Sequence, residues 1–515
     1  MRIPALLSFP LLFLCLACNS GDSAEQADTS PDPLLNMPGE QLAGMFCVSC
    51  HLYPEPALLD KTSWRESILP RMGEFMGIYA TDSTRAGLIE DGPGGAEVEA
   101  ANIYPKTPMM SAAAFGKIVD FYLQNAPENP LPPPSREIAV GLKQFKVETS
   151  PMRLSPPSTT MINVTDEGDI YVGDAHTQTL YEFNNKLELQ RAAKVREGAV
   201  SLRRTDEALL VTVMGSFSPT DAPSGMLLAL PRTAAEQPRI VLKGLKRPVH
   251  SSFADFNGDG VEEIVTSEFG KWTGGLSVWR QEDGAWKSKK LRNRPGAIRA
   301  YTPDLNNDGL QDIIALFGQG DEGIWIYLNK GNGRFSEQAA LRFPPSWGSS
   351  YFNLHDLDND GDLDIVYTAG DNADFKPITK HYHGIRIFLN DGELNFTEQL
   401  FYQLNGAYNA IPYDFDGDGD TDIAAISFFP DWEHTPEEGF VYLENQGDFN
   451  FTATTFEGVA ELGRWIVMDK GDIDHDGDMD LVLGSLAFEV VAEGDWVQNW
   501  VEGGVPFVLM RNTSK

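Results

Sequence analysis

The sequence predicts two folded units of opposite class: a small all-α domain, followed by an all-β, seven-bladed β-propeller with metal-binding loops. Three observations lead there. Apolar residues recur three and four apart in 37–52 and 111–127, the period of amphipathic helices, and 62–72 reads as a further helix broken near Pro70. After residue 142 this gives way to short Val/Ile/Phe/Tyr-rich runs cut by Gly, Asn and Asp, the pattern of strands and turns. An acidic decapeptide then returns five times, starting at Asp255, Asp304, Asp356, Asp414 and Asp472, with spacings of 49 to 58 residues, the mark of a propeller or solenoid. A chain of 515 residues also exceeds one ordinary domain.

Taken in order, Met1-Arg2 is a short basic start, and Ile3 to Ala17 is almost wholly apolar but too short to span a bilayer. Residues 1–17 therefore read as a signal peptide. Leu16-Ala17-Cys18 resembles the end of a bacterial lipobox, with Cys15 where that pattern prefers Leu. The resemblance implies lipidation of Cys18; plain secretion with cleavage nearby is the alternative. Residues 18–36 are small, acidic and poor in apolar side chains, a disordered tether. No later run reaches transmembrane length, so the expectation is an exported chain in the periplasm or on the outer surface of a bacterial envelope, held to the membrane by lipid alone. The net charge of −35, with no Lys/Arg run, excludes a nucleic-acid partner.

Residues 37–126 form the helical domain, and they contain Cys47-Val-Ser-Cys50-His51. A structural zinc site needs four ligands; with Cys15 lost with the signal peptide and Cys18 lipidated, no second Cys pair remains, and no spaced His pair exists. A redox dithiol is an alternative, but C-x-x-C followed directly by His is the c-type haem signature. Cys47 and Cys50 would bond the two vinyl-derived carbons of one covalent haem c, and His51 would lie under the iron. Methionine thioether is the usual sixth ligand. Met72 is favoured over Met76, Met109 and Met110; gap-filling in the core is the alternative role of each. Residues 127–142 include "PENPLPPPS", a stiff helix-breaking linker, and 143–515 form the propeller.

Within each acidic decapeptide, positions 1, 3, 5 and 9 carry Asp, Asn or Glu. These are Asp255, Asn257, Asp259 and Glu263; Asp304, Asn306, Asp308 and Asp312; Asp356, Asp358, Asp360 and Asp364; Asp414, Asp416, Asp418 and Asp422; and Asp472, Asp474, Asp476 and Asp480. Calcium takes six to eight oxygen ligands in a flexible cage, and this spacing supplies them from one tight loop, so up to five Ca2+ are expected. Solvated Asp-Gly turns are the alternative. Position 6 is always Gly, where the backbone must turn without a Cβ. An EF-hand is excluded, because position 12 is Thr266, Ala315, Tyr367, Ala425 and Leu483 instead of a bidentate Glu. Two loop-less blades fit upstream, from Met161 and Ser201, with Asp166 to Asp169 as a shortened relic of the loop. The last blade lacks an outer strand, and 143–150, "KQFKVETS", is expected to supply it and so remove the free edge.

These motifs carry a resemblance. Residues 111–127 resemble the last helix of class I cytochromes c, and "WRESILPRMG" resembles a Trp…Leu-Pro-x-Met motif found with that haem domain. Residues 159–515 look like FG-GAP/VCBS repeats, as in integrin α-chain heads. The whole resembles bacterial lipoproteins that join a cytochrome c domain to such a propeller, which implies the fold and the ions but no reaction. The functional expectation is electron transfer with a redox partner protein or a small-molecule electron donor. The alternatives are a propeller oxidoreductase acting on a sugar or alcohol and feeding the haem, or calcium-dependent binding of glycan or protein. Off the loops, the richest polar cluster is Asp371, Asp374, His381 and His383; Trp272 and Trp432 are candidates to stack on a sugar.

Overall fold

The computed structural model describes residues 32–514, apart from 135, 234–235, 375–376 and 488–494. The predicted signal peptide and Cys18 lie outside the described residues.

The acidic repeat period becomes blade geometry. Seven sheets follow around a ring, spanning 159–194, 199–245, 248–292, 297–342, 349–403, 407–455 and 465–512. In each blade the first strand lines the axis and packs beside the first strands of its neighbours. The second strand is buried on both faces: Ile313–Phe317, Asp364–Ala369, Asp422–Ser427 and Asp480–Ser485 have no residue outside the core. That explains their unbroken apolar runs. Each Ile or Val fully buried there contributes roughly 2 kcal/mol. The fourth strands, such as Ala285–Arg292, are largely exposed and polar.

Closure follows the sequence expectation. Phe145–Thr149 pairs antiparallel with Phe507–Asn512, from Phe145 opposite Asn512 to Thr149 opposite Val508. The start of the propeller thereby supplies the outer strand of its last blade, which locks the ring. Ala139–Val140, just upstream, adds a parallel fifth strand to the sixth blade.

The helical unit is built on the crossing of Gly39–Phe46 with Ala112–Asn125. The crossing is close because Gly39 has no Cβ: one built there would lie 2.1 Å from the Lys117 carbonyl oxygen. Leu42, Ala43, Leu59, Trp64, Leu69, Phe115, Ile118 and Tyr122 form the core. Trp64 Nε1 donates to the Pro56 carbonyl at 2.9 Å, and Tyr122 Oη donates to that of Pro54 at 2.8 Å, so the buried polar tips are satisfied. Asp60 caps the middle helix by accepting from Thr62 N and Ser63 N. This helix is not broken at Pro70, as the sequence suggests. It runs from Lys61 to Phe75, with a π turn over Trp64–Ile68. The wider turn accommodates the missing N–H and the ring at Pro70.

The helical unit sits on one face of the ring. Its contacts go mainly to the connections between second and third strands, and through Lys246 to the connection between blades two and three. Thr220 Oγ1 donates to Glu90 at 2.7 Å, Trp272 meets Phe75 edge-on at 5.2 Å, and Tyr382 Oη donates to the Leu58 carbonyl at 3.0 Å. Lys246 pairs with Glu97 at 2.7 Å, and Ile378 packs on the helical core. The acidic loops connect first to second strands and therefore occupy the opposite face.

Candidate functional site

Each acidic loop is shaped by its own backbone. Position 6 has φ between 83° and 100° at Gly260, Gly309, Gly361, Gly419 and Gly477, the left-handed region where only Gly is unstrained. Position 4 is also left-handed, and it is filled by Gly258, Asn307, Asn359, Gly417 and His475. The position-1 carboxylate accepts from the position-6 N–H, at 2.8 Å in the loops of Asp255 and Asp304 and at 3.1 Å in those of Asp356 and Asp414.

The structure separates the predicted ligand positions into two roles. Position 9 is a fully buried anchor. In all five loops one oxygen accepts from the position-2 N–H, Phe256 to Glu263, Leu305 to Asp312, Leu357 to Asp364, Phe415 to Asp422 and Ile473 to Asp480, and the last four loops share a further anchor. The other oxygen accepts from the N–H of Asn329, Asn390, Asn445 or Asn512, which close the third strands. Each of these asparagines donates its side-chain amide back to the position-8 carbonyl. They are functional residues missed in the sequence, although an Asn ending the third strand of each of the last four blades was a visible signal. Burial pushes Asp422 up to about 6 and Asp480 up to about 7.

Positions 1, 3 and 5 are the outward set. Ligand oxygens of Asp356, Asp358 and Asp360 lie within 4.8 Å of one another, as do those of Asp472, Asp474 and Asp476; in the fourth loop Asp414 and Asp416 group with Asp422. The first two loops differ. Asn306 Nδ2 donates to Asp308 at 3.1 Å, so an amide already lies against that carboxylate. In the first loop Arg280 Nε pairs with Glu263 at 2.7 Å, and Asn257 Nδ2 donates to the same oxygen. A guanidinium there supplies positive charge from the protein itself. The relic loop does likewise, with Arg204 against Glu167 and Asp169 at 2.5 and 3.3 Å. The donor sets at Asp356, Asp414 and Asp472 fit a hard cation, that at Asp304 fits less well, and in that at Asp255 a guanidinium already occupies the position-9 carboxylate.

In the helical unit, Cys47–Ser49 forms a single 3-10 turn at the end of the first helix. It leaves Cys47 half-buried and Cys50 exposed, both as free thiols. Burial pushes the Cys47 thiol up. His51 Nδ1 lies 2.7 Å from the Leu52 carbonyl oxygen. A carbonyl only accepts, so Nδ1 carries the proton and Nε2 presents its lone pair. Burial holds this imidazole below its usual value, hence neutral. Met45 and Val48 flank the motif at 51% and 47% exposure, large apolar side chains without a cover. These features fit a c-type haem. Among the four methionines, Met76 and Met110 are committed to the helical core. Met72 is half-buried, and Met109 is 50% exposed. Asp321 and Arg342, on the propeller, lie close enough for His51 to feel their charge.

Among the remaining sequence candidates, Asp374 is exposed on the 371–383 connection. Asp371, His381 and His383 belong to a connection closed over by the helical unit through Ile378 and Tyr382. Trp272 lies against Phe75, Tyr104 and Arg71 in that interface. Trp432 packs on Trp496 and Trp500, with ring centroids 5.5 and 4.9 Å away.

Comparison with known proteins agrees with the repeat. A family profile for the FG-GAP-like repeat matches residues 304–367, which carry the second and third acidic loops. Integrin alpha-4 of Xenopus laevis is 27% identical over 164 residues, which span 28% of this chain and 15% of that protein. Among solved structures, a virginiamycin B lyase from Staphylococcus aureus aligns with 72% of this chain and 100% of its own, at 11% identity and a TM-score of 0.41. The extracellular domain of a one-component system from B. thetaiotaomicron aligns with 72% of this chain and 40% of its own, at 13% identity and a TM-score of 0.40. Both scores are low, and the propeller assignment rests on the strand order described above.

Proposed function

We propose that this chain is an exported, lipid-anchored electron-transfer protein, with one covalent haem c on the helical unit and a calcium-stiffened propeller as docking or ligand-binding platform. The observation that carries the reading is the Cys47-x-x-Cys50-His51 segment, with two free thiols and a neutral imidazole whose Nε2 lone pair is available. Cys47 and Cys50 hold the haem covalently, and His51 is its proximal ligand. Met72, outside the packed helical core, is the favoured distal ligand, and Met109 is the next candidate. When bound, the haem supplies a one-electron couple. The residues of the chain fix its environment: the Leu52 carbonyl sets the His51 tautomer, and the helical core keeps water from one side. Calcium binds at the loops of Asp356, Asp414 and Asp472, more weakly at Asp304, and Arg280 replaces it at Asp255. Cys18 carries the lipid, and the redox partner is a protein or a small-molecule donor.

The test is to express the full chain in a host that exports and ligates haem. The expected result is haem that stays with the denatured polypeptide and reduces reversibly, together with three to four bound calcium ions per chain. Haem that extracts freely into organic solvent overturns the first part. Thermal stability unmoved by a chelator overturns the second.

A further inference from the structure

The axis of the propeller carries a polar cluster that neither the haem nor the acidic loops use. It is built from consecutive inner strands. Blade three presents His250 and Ser252, blade four Arg299 and Tyr301, blade five Tyr351 and Asn353, blade six Asn409, and blade seven Asp469 and Lys470. A cavity of about 100 Å3 is lined by Arg299, Tyr351, Asn353, His355, Asp469 and Lys470 among others. His355 and Lys470 stand at the ends of their strands, so the cavity lies toward the face of the acidic loops, away from the helical unit.

One wall is fully wired. Tyr301 Oη donates to Asn353 Oδ1 at 3.1 Å, Asn353 Nδ2 donates to Asn409 Oδ1 at 3.2 Å, and Asn409 Nδ2 donates to the Met468 carbonyl at 3.2 Å. Asp469 spends both oxygens on backbone donors, Val164 N at 2.9 Å and Lys470 N at 3.0 Å. The other wall is not wired. Arg299 Nε is buried without a hydrogen-bond partner, as are His250 Nδ1 and Ser252 Oγ on blade three, which do not line the cavity. The Arg299 guanidinium lies 5.0 Å from the Tyr301 ring centroid and 4.8 Å from that of Tyr351, and it pairs with no carboxylate among the described residues. Burial and the Arg299 charge hold His250 well below its usual value, so it adds no charge. Around the cavity Arg299 and Lys470 thus oppose one acid, Asp469, within a chain of net charge −35. A guanidinium largely withdrawn from water is ordinarily paired with an acid, and one whose Nε lacks a partner matches a carboxylate or similar oxyanion. The Asp469 carboxylate in the wall disfavours a dianion.

We propose that the central channel binds a small monoanionic oxyanion, such as a short-chain carboxylate, on the Arg299 guanidinium. The cavity has room for several waters, and so for an anion of a few heavy atoms. The site depends on neither haem nor calcium.

The experiment is isothermal titration of the full-length protein with sodium acetate, formate, phosphate and chloride at constant ionic strength, with the calcium concentration fixed. Saturable binding of acetate or formate is expected, with at least tenfold weaker binding in Arg299→Gln, which keeps hydrogen-bonding capacity and loses the charge. Should Arg299→Gln fail to fold, Arg299→Lys keeps the charge but gives up the planar fork and is expected to weaken binding two- to fivefold. Binding of phosphate in place of the carboxylates supports an oxyanion site of inorganic source. No saturable binding of any oxyanion to the native chain, equal affinity in Arg299→Gln, or chloride competing at equal concentration overturns the proposal.

Discussion

Replacing Asp364 by asparagine separates the anchoring role of position 9 from metal ligation. In the native chain the Asp364 carboxylate accepts from Leu357 N and Asn390 N, both at 2.8 Å, and the side chain is fully buried. Asparagine keeps one acceptor and turns the other into an NH2 that faces a backbone N–H. One charge-assisted hydrogen bond is lost, about 1.5–3 kcal/mol, and one buried donor is left unmet, about 1–3 kcal/mol. Part of this returns, because burial already penalises the ionised acid and pushes it above its usual range. The net expectation is about 2–4 kcal/mol of destabilisation, independent of calcium. Asp358→Asn in the same loop alters an exposed side chain and should cost under about 0.5 kcal/mol in chelator. With calcium at a hundredfold excess over Kd, however, it should forfeit up to about 2.7 kcal/mol of linked stabilisation. Paired thermal melts in chelator and in calcium read both effects, at roughly 1–2 °C per kcal/mol for a domain of this size. If Asp364→Asn melts with the native protein in chelator, or Asp358→Asn loses as much there as in calcium, the division of roles is wrong.

Three further outcomes are expected. Trp272→Ala removes the ring that meets Phe75 and Tyr104, about 3 kcal/mol of packing, so proteolytic cleavage in the 127–138 linker should accelerate at least tenfold with the propeller itself intact. Glu322, buried beside Ser349 N and Oγ, is pushed up to about 8 chiefly by burial. Because the folded chain holds that proton while the unfolded chain releases it, stability should fall as pH rises from the ordinary carboxylate range through 8, and Glu322→Gln should flatten that slope in pH-dependent melts. The double substitution Cys47→Ser with Cys50→Ser should abolish any haem that survives denaturing electrophoresis, while the propeller still melts cooperatively.

What was legible in the sequence was whatever local spacing controls. The Gly at position 6 and the acids around it fix a turn, and the turn fixes a blade; five such turns and two plain repeats account for the ring. Phe145–Thr149 was recognisable as the closing strand because the last blade came up one strand short. What was hidden depends on residues brought together from afar. Arg280 reaches Glu263 across 17 positions, and Asn512 reaches Asp480 across 32. The docking of Leu58 on Tyr382 spans 324 positions, and no periodicity announces it. Pro70 misled for a local reason, since the π turn before it relieves the clash that ordinarily ends a helix.

The two faces of the ring divide the chemistry. Connections between second and third strands, with the one between blades two and three, receive the helical unit, whereas connections between first and second strands carry the acids. On the proposed reading, no calcium ion can therefore act on the haem by contact; each acts by tying its loop to Asn329, Asn390, Asn445 or Asn512 through the position-9 anchor, and so to the strand order itself. The same partition leaves the acidic face and the axial cavity beside it free of the helical unit. A partner that docks there meets a rigid, negatively charged rim around a cavity with one unpaired guanidinium. On the proposed reading, a partner that exchanges electrons would instead approach the exposed Cys50 and the uncovered Met45 and Val48 on the far side. On that reading, binding and electron exchange would take place on opposite faces of the propeller.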